Sequence, residues 1–299
     1  MPRRSNGAID QEKRKSPITV SVNPGPAQID GKVQRRLRGA AIDFPFSPDW
    51  TDDGARIQFL SLENEVDGDA VVGSVAVDGG DEQYRSLGVS VDAAAWAPAG
   101  WPLIYIPISR ITGMKGKQVK PYPDLWRLDS LYGEPRKLIG SRVNEYDPLF
   151  SPDGTEIAFM REREWSSSLW KVSADGANPQ RLAGNLLGPS SAAWSPDGRQ
   201  IALSTCSRRR GCHLYVLPAD GGQRRRIVDE EILANRPAWT PDGRWITFPT
   251  FAGEIRKVHP DGTGLQTVAR LPGKEIGELS WSPDGEHLAY TAQAFHWSD

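Results

Sequence analysis

The tetrapeptide Ser151-Pro152-Asp153-Gly154 returns almost unchanged at Ser195 to Gly198, Thr240 to Gly243 and Ser282 to Gly285, and no other feature restricts the fold as strongly. Each copy reads as a tight turn. A Ser or Thr hydroxyl serves the backbone at the first position, Pro presets φ at the second, and Gly suits the fourth. An aromatic residue precedes each turn (Phe150, Trp194, Trp239, Trp281), and an alternating apolar run follows, as at Ile157 to Phe159 and Ile201 to Leu203. That pattern specifies strand, turn, strand. A second apolar run, an Asp-Gly turn and a short fourth run complete each copy, as in Leu169 to Val172, Asp175-Gly176 and Gln180 to Leu182. Each unit therefore holds four short antiparallel strands.

The copies start 44, 45 and 42 residues apart, the length of one four-stranded propeller blade. Two worn copies lie upstream. Phe46-Ser47-Pro48-Asp49 leads into Asp52-Asp53-Gly54, and Trp96 is followed by Ala97-Pro98-Ala99-Gly100. Six repeats result. Only nine residues follow Tyr290, so the sixth lacks two strands. Ile18 to Val22 or Gln28 to Asp30 would supply one of them and Val33 to Leu37 the other. The expected fold is all-β: a six-bladed β-propeller of four-stranded antiparallel blades, its ring closed by N-terminal strands that complete the last blade and cover open edges.

The order aromatic, SPDG, two variable residues, IAF, loop, LYV, DG, RL resembles that of the TolB-like six-bladed β-propeller family, over residues 18 to 299 as a single domain. For function the resemblance implies only a range. Similar propellers serve as periplasmic interaction modules, as gating domains of serine peptidases and as carbohydrate-processing enzymes.

Residues 1–17 are polar and carry a charge of +3, against −5 for the remainder. They read as a flexible tail. With a net charge of −2 there is no broad basic excess of the kind that binds nucleic acid. No apolar run suits a signal peptide or a membrane span, which points to a soluble, cytoplasmic product and leaves peripheral membrane association open. Cys206 and Cys212 flank a hairpin loop, within reach of a disulfide, and also fit two reduced structural cysteines. A disulfide favours a periplasmic or other extracytoplasmic compartment, which the family resemblance also implies.

Catalytic groupings are not recognisable. The four histidines, His213, His259, His287 and His296, lack metal-ligand spacing, and no nucleophile elbow, phosphate loop or dinucleotide fingerprint is present. No catalytic residue and no cofactor is assigned, and the chain leans away from enzymes. One dispersed site is expected. Four residues before the first position of each turn stand Asp43, Ala93, Asp147, Ser191, Arg236 and Glu278, which would converge on the central channel. Asp43, Asp147, Ser191, Arg236 and Glu278 are the channel-mouth candidates, suited to a divalent cation, an amine or a basic peptide end.

The second repeat carries about ten extra residues between Ile106 and Leu125, and insertions in repeat proteins gather on one face, often the binding face. Met114, Lys115, Lys117, Lys120 and Tyr122 from this insertion, with Trp165 from a loop of the third repeat, are the partner-contact candidates. Trp96, Trp194, Trp239 and Trp281 share one repeat position and are expected to pack between blades. Trp50, Trp101, Trp165 and Trp297 lie off that position and read as contact surface. Arg208 to Arg210 and Arg224 to Arg226 read as solvated loop and sheet edge.

The sequence thus favours a non-catalytic scaffold, an accessory subunit that binds another protein through loops on one face. The alternative is a channel-centred ligand-binding protein or enzyme acting on a saccharide or peptide. In that case Asp43, Asp147 and Glu278 would hold an ion or act as acid and base, and Arg236 would orient an anionic group.

Overall fold

The computed structural model describes residues 18–22, 34–37 and 46–294, apart from positions 52, 63–68, 78–82, 90, 99, 101, 108–123, 131, 165, 189, 208–210, 231 and 234. Two strands come first, β1 (Ile18–Val22) and β2 (Gln34–Leu37). Blade 1 holds β3 (Phe46–Trp50), β4 (Arg56–Leu62), β5 (Ala70–Ala76) and β6 (Gln83–Ser86). Blade 2 holds β7 (Val91–Trp96), β8 (Leu103–Pro107), β9 (Leu125–Leu128) and β10 (Arg136–Ile139). Blade 3 consists of β11 (Asn144–Phe150), β12 (Glu156–Arg163), β13 (Ser166–Ser173) and β14 (Gln180–Leu187). In blade 4 are β15 (Ser190–Trp194), β16 (Gln200–Ser207), β17 (Gly211–Pro218) and β18 (Arg225–Arg226). In blade 5 are β19 (Ala238–Trp239), β20 (Ile246–Pro249), β21 (Glu254–Val258) and β22 (Gln266–Arg270). Blade 6 begins with β23 (Lys274–Trp281) and β24 (His287–Ala294).

All six sheets have four antiparallel strands, five in chain order and the sixth in the order β23-β24-β1-β2. The N-terminal strands therefore complete the last blade. β1 lies along β24 with Ile18 opposite Thr291 and Val22 opposite His287. The fold is the expected all-β, six-bladed propeller.

The recurring turn explains why the inner two strands of a blade always meet in the same way. Ser151 Oγ donates to Asp153 Oδ1 (2.6 Å) and accepts from Glu156 N (2.9 Å), while Gly154 N donates to Ser151 O (2.8 Å). Gly154 sits at φ 69°, the left-handed region that glycine enters without strain. The same bonds recur around Ser195, Thr240 and Ser282.

Blade 1 corrects the sequence alignment. Its turn is Thr51 to Gly54, with Thr51 Oγ1 to Asp53 Oδ1 at 2.6 Å and Gly54 N to Thr51 O at 2.8 Å. Ser47, Pro48 and Asp49 lie inside the inner strand β3 instead. The look-alike tripeptide was one turn length too early. The residue four positions before this turn is consequently Ser47, and Asp43 lies outside the described residues.

There is no single core. Strand alternation sends successive side chains to opposite neighbours, so Ile157 and Phe159 pack against Ile104 and Leu125 of blade 2, whereas Ala158 and Met160 pack against Leu203 and Trp194 of blade 4. Equivalent clusters fill the other blade junctions. Trp96, Trp194 and Trp239 are buried between blades, as expected, and Trp281 is partly buried in the same role. Trp50 belongs with them, contrary to the sequence reading. It is buried and its Nε1 donates to Ser280 O of blade 6 at 3.2 Å. Trp239 Nε1 donates likewise to Ala193 O (3.1 Å). Trp101, Trp165 and Trp297 lie outside the described residues.

Two further sets of contacts tie neighbouring blades together. Five of the six turn glycines face the turn proline of the preceding blade: Gly154 faces Pro98, Gly198 Pro152, Gly243 Pro196, Gly285 Pro241 and, across the closure, Gly54 Pro283, whereas Gly100 faces Gln58 of blade 1, whose turn has no proline. Farther from the axis, Arg85 donates to Gly133 O (3.1 Å), Arg127 to Ala174 O (2.7 Å), Gln180 to Asp220 O (3.0 Å) and Arg225 to Asp261 O (2.8 Å). The Arg224 to Arg226 cluster is thus used within the fold, with Arg226 paired to Asp229 and Arg224 lying over the Tyr215 ring. Cys206 and Cys212, opposite each other on β16 and β17, form a disulfide.

Candidate functional site

The inner strands β3, β7, β11, β15, β19 and β23 run side by side around the axis, so residues at equivalent positions meet there. The register of β11 is interrupted between Tyr146 and Leu149. Asp147, at this bulge, takes φ 51° although it is not a glycine and precedes Pro148. Such a conformation costs about 1–3 kcal/mol and persists only where surroundings hold it.

What holds it is a set of bonds spanning three blades. Asp147 Oδ2 accepts from Ser191 Oγ (2.7 Å) and Ala192 N (3.0 Å) on blade 4. Asp147 Oδ1 accepts from Arg236 Nη2 (2.5 Å) and Nε (3.2 Å) just ahead of β19. The pair is largely withdrawn from solvent, with side-chain exposures of 13% for Asp147 and 20% for Arg236. Burial opposes the charge on Arg236, but the carboxylates of Asp147, Glu278 and Asp49 outweigh it and hold the guanidinium protonated well above its usual range. Three of the five sequence candidates, Asp147, Ser191 and Arg236, therefore form one hydrogen-bonded cluster. Glu278, at the corresponding bulge of β23, acts on it through its charge.

Asp49 is the residue that sequence reasoning missed. Its Oδ1 accepts from Ser280 Oγ (3.0 Å) and from Trp50 N (2.9 Å), both neutral donors. Burial pushes its carboxyl up from the ordinary value, against the pull of these hydrogen bonds and of Arg236. The turn spacing held the signal. Starting blade 1 at Thr51 brings its distance to Ala97 close to the other intervals and places Asp49 on the channel strand.

Asp49 and Arg236 are the charged residues that line a cavity of about 270 Å³ along the axis. Its wall is about half polar and half apolar, with Trp194, Trp239 and Trp281 among the lining residues, and it reaches Pro152 and Pro241 in the turns. Its mouth therefore lies on the turn face. No described histidine lines it. His213 is buried beside the disulfide, with Nδ1 3.4 Å from Glu230 O, and His259 stacks on Trp245 at 3.6 Å. Asp284, Glu286 and His287 gather ligand atoms within 4.8 Å of one another on the blade 6 turn, away from the channel. The partner-contact candidates Met114, Lys115, Lys117, Lys120, Tyr122 and Trp165 lie outside the described residues.

No protein-family model and no curated protein matches the chain. Solved structures do. A TolB candidate from Agrobacterium tumefaciens aligns with a TM-score of 0.69 at 19% identity, covering 95% of this chain and 99% of that one. TolB from Acinetobacter baumannii aligns at 0.61 and 17% identity over 93% of this chain, which spans only 63% of that protein's length. An oligogalacturonate lyase in complex with manganese aligns at 0.59 and 14% identity, covering 90% of this chain and 82% of the lyase. At these identities the likeness is one of architecture, and the chain has the TolB-like six-bladed β-propeller fold.

Proposed function

We propose that this protein is a non-catalytic interaction module that binds another protein through loops on one face, as an accessory subunit of a larger assembly. One observation carries the reading. The charged channel residues best suited to chemistry, Asp147 and Arg236, are bonded to each other and to Ser191 across three blades. A group saturated in this way serves as a brace more readily than as an acid, base or metal ligand. Recognition then falls to the rim, and the insertion with Lys115, Lys117 and Lys120 is its most distinctive part. The disulfide favours work in an oxidising, extracytoplasmic compartment.

The test is copurification of the tagged protein from mild detergent, wild type against a Lys115→Glu, Lys117→Glu, Lys120→Glu variant. The reading expects a stoichiometric partner with the wild type and its loss in the variant at unchanged thermal stability. Equal capture by both removes the insertion from the interface.

The alternative is a channel-centred ligand binder or an enzyme acting on a saccharide or peptide, and the axial cavity supports it. The manganese-bound lyase of similar architecture supports it too. Both Asp147 oxygens are engaged, so in that reading a divalent cation in the channel would draw on Asp49 before Asp147.

A further inference from the structure

We infer that the axial cavity is a binding site for an alkylammonium group, taken up through the turn face with its charge against Asp49. This goes beyond the rim-loop reading and does not depend on it. The cavity volume, about 270 Å³, suits a small amine or a single side chain and is far too small for a folded partner.

The chemistry of the wall selects the class. Ala94, Ala193, Ala238 and Leu279 supply the apolar part of a wall that is about half polar, and Trp96, Trp194, Trp239 and Trp281 add aromatic rings, a mixture that suits an organic cation with a hydrocarbon part and a charged, hydrogen-bonding head. The two charged lining residues differ in what they have left to offer. Arg236 is neutralised by Asp147, so it neither needs nor attracts an anion strongly. Among the described residues, Asp49 is bonded only to the Ser280 hydroxyl and the Trp50 amide. A carboxylate in such surroundings lacks a cationic partner in contact, and an ammonium ion would supply both charge and donors. The alkyl part would cover the alanine and leucine wall. Ser280 orients the carboxylate from one side, and the β3 backbone holds it from the other.

The same chemistry is offered by a free amine and by a lysine side chain, and two probes separate them. Tryptophan fluorescence and NMR titration with n-butylammonium, against uncharged n-butanol, read the free amine. N-acetyl-lysine amide, against its Nε-acetylated form, reads the side chain. The expected result is saturable binding of at least one charged probe and none of its neutral counterpart. Asp49→Asn should weaken that binding about tenfold or more. Ala193→Leu, which leaves Asp49 in place and fills the cavity, should abolish it and so guards against a folding defect in the first variant. The Lys115, Lys117, Lys120 triple variant should bind the amine normally, which separates this site from the rim. Equal affinity of wild type and Asp49→Asn, equal response to n-butanol, or no binding of either charged probe would overturn the assignment.

Discussion

The two ends of the inner strands obey different rules. At the turn end five of the six blades repeat the same bonds, a hydroxyl to an Asp carboxylate, a glycine amide back to the first carbonyl and a glycine against the previous proline, and blade 2, with Ala97-Pro98-Ala99-Gly100, keeps only the glycine amide bond. Toward the other end, four residues before the turn, the residue types diverge: Ser47, Ala93, Asp147, Ser191, Arg236 and Glu278 stand at one repeat position. Repetition marks what any blade needs in order to fold. Its loss marks where this particular ring has been given its own chemistry. The bulge near this position recurs in β3, β7, β11 and β23, so the backbone irregularity belongs to the repeat and the side chains it carries, Asp147 and Glu278 among them, belong to the second class.

The largest effect expected is at a repeated position. Phe159→Ala removes a fully buried ring that Phe59 and Phe248 match in other blades, and should cost about 4 kcal/mol in denaturant unfolding. At the unique end, Arg236→Met strands the Asp147 carboxylate and should cost about 3 kcal/mol. If Asp147→Asn combined with Arg236→Met is no better than Arg236→Met alone, the cluster is not a coupled brace. Replacing Cys206 and Cys212 together by Ser should lower stability by about 2 kcal/mol, the value for a short closed loop. A mass shift of the unreduced protein on alkylation would show that the bond never formed. Ser151→Ala breaks one copy of the turn network and should cost about 1 kcal/mol. The same change at Ser195 should match it if the turns are equivalent.

The smallest effect separates the two ends by pH. Asp153, Asp197 and Asp284 have carboxyls held below the ordinary value, chiefly by the hydroxyls of Ser151, Ser195 and Ser282. Their contribution is present above the unfolded value of 3.8 and is lost as pH falls through the lower folded values. Asp49 has the opposite sign. Its folded value is raised by burial, with Arg236 and Glu278 the charged groups around it. Its ionised form therefore costs stability at neutral pH, and the cost disappears below 3.8. Asp49→Asn should be slightly more stable than wild type at pH 7 and indistinguishable from it near pH 3, read as the difference in melting temperature.

Much of this was legible in sequence because the turn is built from local bonds. Ser151, Pro152, Asp153 and Gly154 each have a defined task within six residues, so the motif announces itself wherever it is needed. Convergence of Asp147, Ser191 and Arg236 was legible too, since equal repeat positions must meet on an axis. What escaped was long-range or coincidental. Ser47-Pro48-Asp49 carries the right letters but sits in a strand, and only the bonds of Thr51, Asp53 and Gly54 reveal the true turn. That shift of four residues hid both Asp49 and the packing role of Trp50. The bonds of Asp147 to Arg236, nearly ninety residues away, have no local signature at all.

The pairing of β1 with β24 brings together residues about 270 positions apart, Ile18 and Thr291 among them. During synthesis the ribosome delivers β1 and β2 before blades 1 to 5 and their partner strand β24 after them. For most of translation the leading hairpin has no sheet to join and blade 1 has no neighbour on one side. Loop closure over such a span is entropically slow, so the ring is expected to lock in a late step, after blades 1 to 5 have condensed. A chaperone has that interval in which to act on an open crescent instead of a closed disc.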